Sequence, residues 1–238
     1  GVSLAIILIL VALKKPMFLC ILVVTATILT SGIERGRFVP VLSINEIILL
    51  FAGVMSLMIF VAGKRWRIKL PGYFGAAFSI LIAGTMVSPL AYFLITETPL
   101  TLNNAFKLAA PLQYLLLFWV FVSLPESEAD RQTIIWWMLG LGGLVAVIGI
   151  AQGLGIGIVE QLLGNIYASS HEAMAASAGR ITSILGSWNT LGIFMMSIIF
   201  LCWSALFEVD LLRGRVLIMG VMALCVLCLL MSGSYAGI

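Results

Sequence analysis

From residue 216 to residue 238 the chain carries no charged side chain, and only glycine, serine and tyrosine interrupt an otherwise apolar run. Roughly 20 such residues are enough to cross the hydrocarbon core of a bilayer as a helix. Lipid offers no hydrogen bonds, so a lone spanning segment must satisfy its own backbone groups, and only a helix does that. Comparable apolar runs, bounded by charge clusters, occupy residues 2–13, 17–31, 44–62, 70–95, 104–124, 133–154, 183–207 and 216–238. The predicted fold is therefore all-α: a polytopic integral membrane bundle of about eight transmembrane helices, forming a single transmembrane domain over residues 1–238. With 62% hydrophobic and 10% charged residues and a mean hydropathy of +1.19, the chain has more apolar surface than a soluble domain can hide. The first two runs are short for full spans, and the Lys14-Lys15-Pro16 turn between them suits a helix start after proline. The chain begins at Gly1 rather than Met and ends inside an apolar run, so the expectation is a fragment truncated at both ends.

Orientation follows from lysine and arginine. Lys14, Lys15, Lys64, Arg65, Arg67, Lys69, Arg131, Arg213 and Arg215 fall in one set of alternate loops, while Arg35, Arg37 and Arg180 fall in the other. The first set is expected on the cytoplasmic side. The outer loops are then 32–43, 96–103 and 155–182, the last being the longest. Long loops are more often functional than idle. This one holds G-L-G-I-G, the single histidine His171 next to Glu172, and a run of small residues before Arg180. The glycines do not follow a strand, so a nucleotide-binding reading fails, and a helix-ending turn is the better one.

Residues 179–194, G-R-I-T-S-I-L-G-S-W-N-T-L-G-I-F, carry the strongest chemical signal. Arg180 precedes an apolar segment that opens with Thr182, Ser183, Ser187, Asn189 and Thr190. Polar groups at the mouth of a membrane helix are costly to desolvate. A guanidinium offers a fixed fork of donors that matches a phosphate or diphosphate. The same arginine can also simply snorkel to lipid head groups, and the residues alone leave both readings open. Lys107, about one turn inside its helix, either snorkels or faces the bundle toward a lipid phosphate. Gln113 and Gln152 suit interhelical hydrogen bonds, and Trp119, Trp136 and Trp137 suit interface anchors. His171 and Glu172 are adjacent, which is poor geometry for a base and its orienting carboxylate. Cys20, Cys202, Cys225 and Cys228 lie in apolar runs and are expected to pack as small hydrophobes. No cofactor or metal ligand set stands out, and a net charge of +3 gives no argument for nucleic acid.

Taken together, Arg180, Gly186 and Asn189 entering a helix after an outer loop, followed by a helix ending in the serine-rich stretch Ser232 to Gly237, resemble the O-antigen ligase and O-antigen polymerase family of bacterial envelope proteins. The resemblance implies a metal-independent, multi-pass glycosyltransferase of the bacterial inner membrane, active in lipopolysaccharide or exopolysaccharide biosynthesis. Its donor would be an undecaprenyl-diphosphate-linked glycan, and its acceptor lipid A core or another glycan. It implies that Arg180 holds the diphosphate. Asn189, Ser187, Lys107, Ser234 and Tyr235 are further candidate substrate contacts among membrane lipids. Ser187 and Asn189 would lie about 200° apart on an ideal helix and so would not face one ligand together. The family's catalytic histidine is expected in a later outer loop beyond Ile238, and His171 is not its substitute. The family motif carries an arginine where this chain has Tyr235, which can donate a hydrogen bond but brings no charge. A polysaccharide transporter or flippase is the rival reading. It would call for charges deep within several helices and for broken helix pairs.

Overall fold

The computed structural model describes residues 11–33, 43–62, 72–96, 102–167, 179–209 and 211–233. Its regular elements, in chain order, are α1 (Met17–Thr30), α2 (Ile44–Val61), α3 (Gly72–Ile95), α4 (Leu102–Ser123), α5 (Glu128–Gly153), α6 (Gly157–Tyr167), a 3₁₀ turn (Ser183–Leu185), α7 (Trp188–Glu208) and α8 (Leu212–Ser232). Among the described residues there is no strand, as lipid burial of the backbone requires. Among the described residues four helices, α2, α5, α7 and α8, are long and apolar enough to cross a membrane, where the sequence predicted about eight. At 14 residues, α1 reaches about 21 Å, short of a hydrocarbon core of about 30 Å. The helices α3 and α4 are 24 and 22 residues long, and their described apolar stretches are Ala83–Ile95 and Pro111–Ser123. The predicted run 2–13 lies mostly outside the described residues.

The chain divides into two compact units, Gly1–Cys20 with Leu49–Glu126, and Ile21–Ile48 with Ser127–Ile238. In the first unit, Cys20 Sγ donates to Val120 O at 3.7 Å and the hydroxyls of Ser56 and Ser123 meet at 3.4 Å. Gly53 admits α4 closely: a Cβ there would stand 2.6 Å from Leu116 Cδ1. On α3 and α4, Tyr73, Ile80, Leu94, Ile95 and Tyr114 remain exposed, the pattern of helices that face lipid rather than water.

The second unit is built around α5. This helix begins at Glu128, five residues earlier than its apolar run at 133 predicts. The reason is a capping box: Ser127 Oγ accepts from Asp130 N at 3.1 Å, and the Asp130 carboxylate accepts from Ser127 N at 3.0 Å. Glu128 and Asp130 also place negative charge at the positive end of the helix dipole. The far end closes in a Schellman turn. Gly155 takes φ 68°, its N–H donates to Gln152 O, and Ile156 N donates to Ala151 O at 3.1 Å. The glycines after α5 therefore do end the helix.

A row of small residues on α5, spaced four, three and four apart, lets its neighbours approach. A Cβ on Gly142 would stand 2.7 Å from Ile198 Cγ2, and one on Gly149 2.8 Å from Cys228 Sγ. Ala146 between them is fully buried, and Gly153 lies against Met231 Cε. The pairs Gly143–Val221, Gly149–Cys228 and Gly153–Met231 advance together, so α5 and α8 run parallel. The two helices α7 and α8 form an antiparallel hairpin across the short connection after Glu208. At its polar end α1 turns at Gly32, whose added Cβ would meet Ile184 O and, at 2.9 Å, Gly186 N.

Gly186 combines a left-handed backbone with a close backbone neighbour. Its φ is 70°, and a Cβ there would stand 2.9 Å from Gly32 Cα and 3.3 Å from Gly32 O. An L-residue in this conformation costs roughly 1–2 kcal/mol before any clash. Gly186→Ala is therefore expected to lower the melting temperature of the purified full-length protein clearly. Gly220→Ala, at a helical position with nothing within 4 Å of the new Cβ, is expected to leave it unchanged or raise it. Equal melting of the two variants would contradict this packing.

Candidate functional site

The sequence predicts one continuous helix over 183–207; the structure divides it. Ser183–Leu185 forms the 3₁₀ turn, Gly186 reverses the chain in the left-handed region, Ser187 is extended, and α7 starts only at Trp188. Gly186 is the physical cause, because no regular α-helix passes through φ 70°. The 200° separation of Ser187 and Asn189 on a helical wheel therefore does not apply.

The polar residues just after Arg180 do not line a helix mouth. Thr182 and Ser183 are fully buried, together with Ile181, Ile184 and Leu185. Ser183 has φ 50°, the only non-glycine residue at positive φ among those described. Such a conformation costs of order 1–3 kcal/mol and persists only where the surroundings fix it. Here Gln152 Oε1 accepts from both Thr182 N (3.0 Å) and Ser183 N (2.8 Å), while Ser183 Oγ donates to Val145 O at 2.9 Å. Gln152 thus makes a structural hydrogen bond, as its sequence position suggests. Its partner is the backbone of a turn rather than a second helix.

This buried turn presents Arg180 on one side and the first turn of α7 on the other. Arg180 is half-buried. Its guanidinium carbon lies 5.4 Å from the centroid of the Trp188 ring, within the range of a cation–π contact. Its stem lies against Gly233: a Cβ on that glycine would stand 3.5 Å from Arg180 Nε and 3.6 Å from Cγ. Gly233 is the left-handed C-cap of α8, with φ 57°, and its neighbour Ser232 is buried with Oγ donating to Leu229 O at 2.7 Å. Arg180 and Gly233, about fifty positions apart in sequence, therefore meet in space. A Cβ at 233 would make ordinary contact with the arginine, and the left-handed φ is what disfavours a side chain there.

Ser187 is half-buried and caps α7 without a side-chain hydrogen bond, so its hydroxyl does not close the first-turn N–H groups of that helix. Asn189 is exposed in that first turn. The positive end of a helix dipole beside a half-buried guanidinium favours an anion. Lys107 falls within α4, but its side chain lies outside the described residues, as do Ser234, Tyr235, His171 and Glu172. Trp188 is the site residue that sequence reading passed over, while Gly233 belongs to the small-residue stretch already singled out. The tryptophan was legible as an aromatic eight positions after the arginine, but its contact depends on the reversal at Gly186.

The predicted outer loop 155–182 is not all loop: it contains α6, whose Tyr167 hydroxyl donates to Leu29 O at 2.7 Å. Burial raises the Tyr167 pKa above its ordinary value. The four cysteines are buried, and Trp137 Nε1 donates to Thr25 Oγ1 at 2.8 Å, tying α5 to α1. Comparison with known protein families, curated proteins and solved structures finds no match for this chain.

Gln152→Leu would leave two buried N–H donors without their acceptor, at about 1–3 kcal/mol each. The expected outcome is a marked loss of thermal stability of the purified full-length protein. Gln152→Glu keeps the acceptor oxygens and is expected to lose much less. Melting curves for both variants check this, and a Leu variant as stable as wild type would remove Gln152 from the support of the turn.

Proposed function

We propose that this chain belongs to a membrane glycosyltransferase of the O-antigen ligase or O-antigen polymerase type. It is a multi-pass protein of the bacterial inner membrane, with its basic loops in the cytoplasm. Its donor is a glycan carried on undecaprenyl diphosphate, and its acceptor is lipid A core or a second glycan. The observation that carries this reading is the placement of Arg180: half-buried, stacked on Trp188 and resting on Gly233 at the head of the serine-rich stretch. In an electrostatic mechanism the acceptor hydroxyl oxygen forms the new bond to the anomeric carbon, and the bond from that carbon to the diphosphate oxygen breaks. Negative charge then grows on the leaving diphosphate. Arg180 offers it a bidentate fork in a partly dry setting, where such contacts are strong. The first-turn amides of α7 and the side chains of Ser187 and Asn189 add hydrogen bonds to phosphate or sugar oxygens. Lys107, Ser234 and Tyr235 remain further candidate contacts. No residue of this chain is assigned as the base that takes the acceptor proton.

A transporter reading gains less support. Among the described residues the one buried charged side chain is Glu46, and its carboxylate accepts from Ser43 N at 3.0 Å at the start of α2. That is a helix cap rather than an ion-coupling site deep within a span.

Arg180→Lys keeps the charge but loses the planar fork. Transfer of lipid-linked glycan in membranes carrying equal amounts of each full-length variant is expected to fall partly for Lys and almost completely for Ala. Loss of one preorganised contact of this kind costs on the order of 10²–10³ in rate. Wild-type rates for both variants would sink the assignment.

A further inference from the structure

Helix α6 presents three distinct faces around its axis. At about 100° per residue, Leu163 and Tyr167 share one side, Ile158, Leu162 and Ile166 fall within an arc of about 80°, and Glu160, Gln161, Gly164 and Asn165 fill the remainder. The first side is buried, with Leu163 1% and Tyr167 8% exposed. The apolar arc is not covered by the protein: Ile158 is 79% exposed and Leu162 47%. In water, that arc would be an unexplained apolar patch beside a polar one.

Both ends of the helix are pinned, one to the end of the candidate span α5 and the other to the last turn of the apolar helix α1. The apolar part of α5, from Thr133 to Gly153, measures about 31 Å as a helix, matching a hydrocarbon core of about 30 Å. Gly153 therefore lies at the boundary of that core. Gly157 follows within four residues, no more than about 14 Å away even if extended, and the Schellman turn shortens the distance. At the other end, the Tyr167 hydroxyl bonds Leu29 O in the last turn of α1. A helix of 11 residues, about 16 Å long, held at both ends in this way lies along the membrane surface and does not project from it. The exposed apolar surface is also continuous: Leu154 (69%) and Ile156 (45%) carry the lipid-facing side of α5 directly onto Ile158.

We infer that α6 is an interfacial helix whose Ile158–Leu162–Ile166 arc is seated in the acyl-chain boundary of the bilayer. The occupant of that arc is lipid, and Gln161 faces the head groups and water. This holds α6, and the buried turn that follows it in sequence, at head-group depth. The inference is independent of the proposed glycan transfer.

The test uses the full-length protein with single cysteines at 158, 162 or 161, labelled with an environment-sensitive fluorophore. The labelled protein is reconstituted in vesicles of phosphatidylethanolamine and phosphatidylglycerol, and the same protein without an added cysteine gives the background. Labels at 158 and 162 are expected to emit at shorter wavelength and to be quenched by nitroxide-bearing lipids but not by iodide. The label at 161 is expected to show the reverse. Quenching of 158 and 162 by iodide to the same degree as 161 would overturn the inference. So would protection from both quenchers, which would mean that protein, such as a second copy of this chain, covers the arc. A second measurement needs no substitution: a lipid-soluble diazirine should insert into Ile158 and Leu162 of the unmodified protein and spare Gln161. The opposite pattern would likewise reject the placement.

Discussion

A single side-chain oxygen, Gln152 Oε1, closes a turn that the backbone would not otherwise adopt. It accepts from two successive N–H groups, one of them on Ser183 at φ 50°. Backbone donors buried in an apolar surrounding must be paired, and paired well. Gly186 and Gly32 complete the turn by approaching each other more closely than any side chain would permit. The position of Arg180, three residues before Ser183, depends on this arrangement. So does the separation of that arginine from the helix that follows. The turn is rigid for a physical reason, and rigidity is what an electrostatic site requires if it is not to reorganise as charge develops.

The helical character of the protein was legible because lipid burial leaves almost no alternative for long uncharged runs, and residues 216–238 are of that kind. The number of full spans was not legible to the same degree. The run at 17–31 does read as short for a full span, and α1 (Met17–Thr30) agrees with it to within a residue. The start of α5 was not legible in the same way. Its polar first turn looks like loop by hydropathy, yet Ser127 and Asp130 form a capping box that begins the helix there. A small-residue spacing on α5, from Gly142 through Gly149 to Gly153, could have identified its packed face.

The candidate site was legible in its central residue and misread in its surroundings. Arg180 stands out because a charge at the mouth of an apolar run needs an explanation. Thr182 and Ser183 stand out for the same reason, yet they are structural, spent on Gln152 and Val145. What separates the two cases is burial, which depends on the reversal at Gly186 and cannot be seen from residue types alone. The contact of Arg180 with Gly233 is equally invisible in sequence, since it requires α5 and α8 to run parallel and end together.

Under the proposed function, Arg180 holds a membrane-borne diphosphate. The most direct test is equilibrium binding of a labelled polyprenyl diphosphate to the full-length protein in lipid nanodiscs, comparing wild type with Arg180→Gln. The expected result is saturable binding by wild type that excess unlabelled polyprenyl diphosphate displaces, and loss of that binding in the Gln variant at unchanged melting temperature. Equal binding by the two proteins would contradict that role.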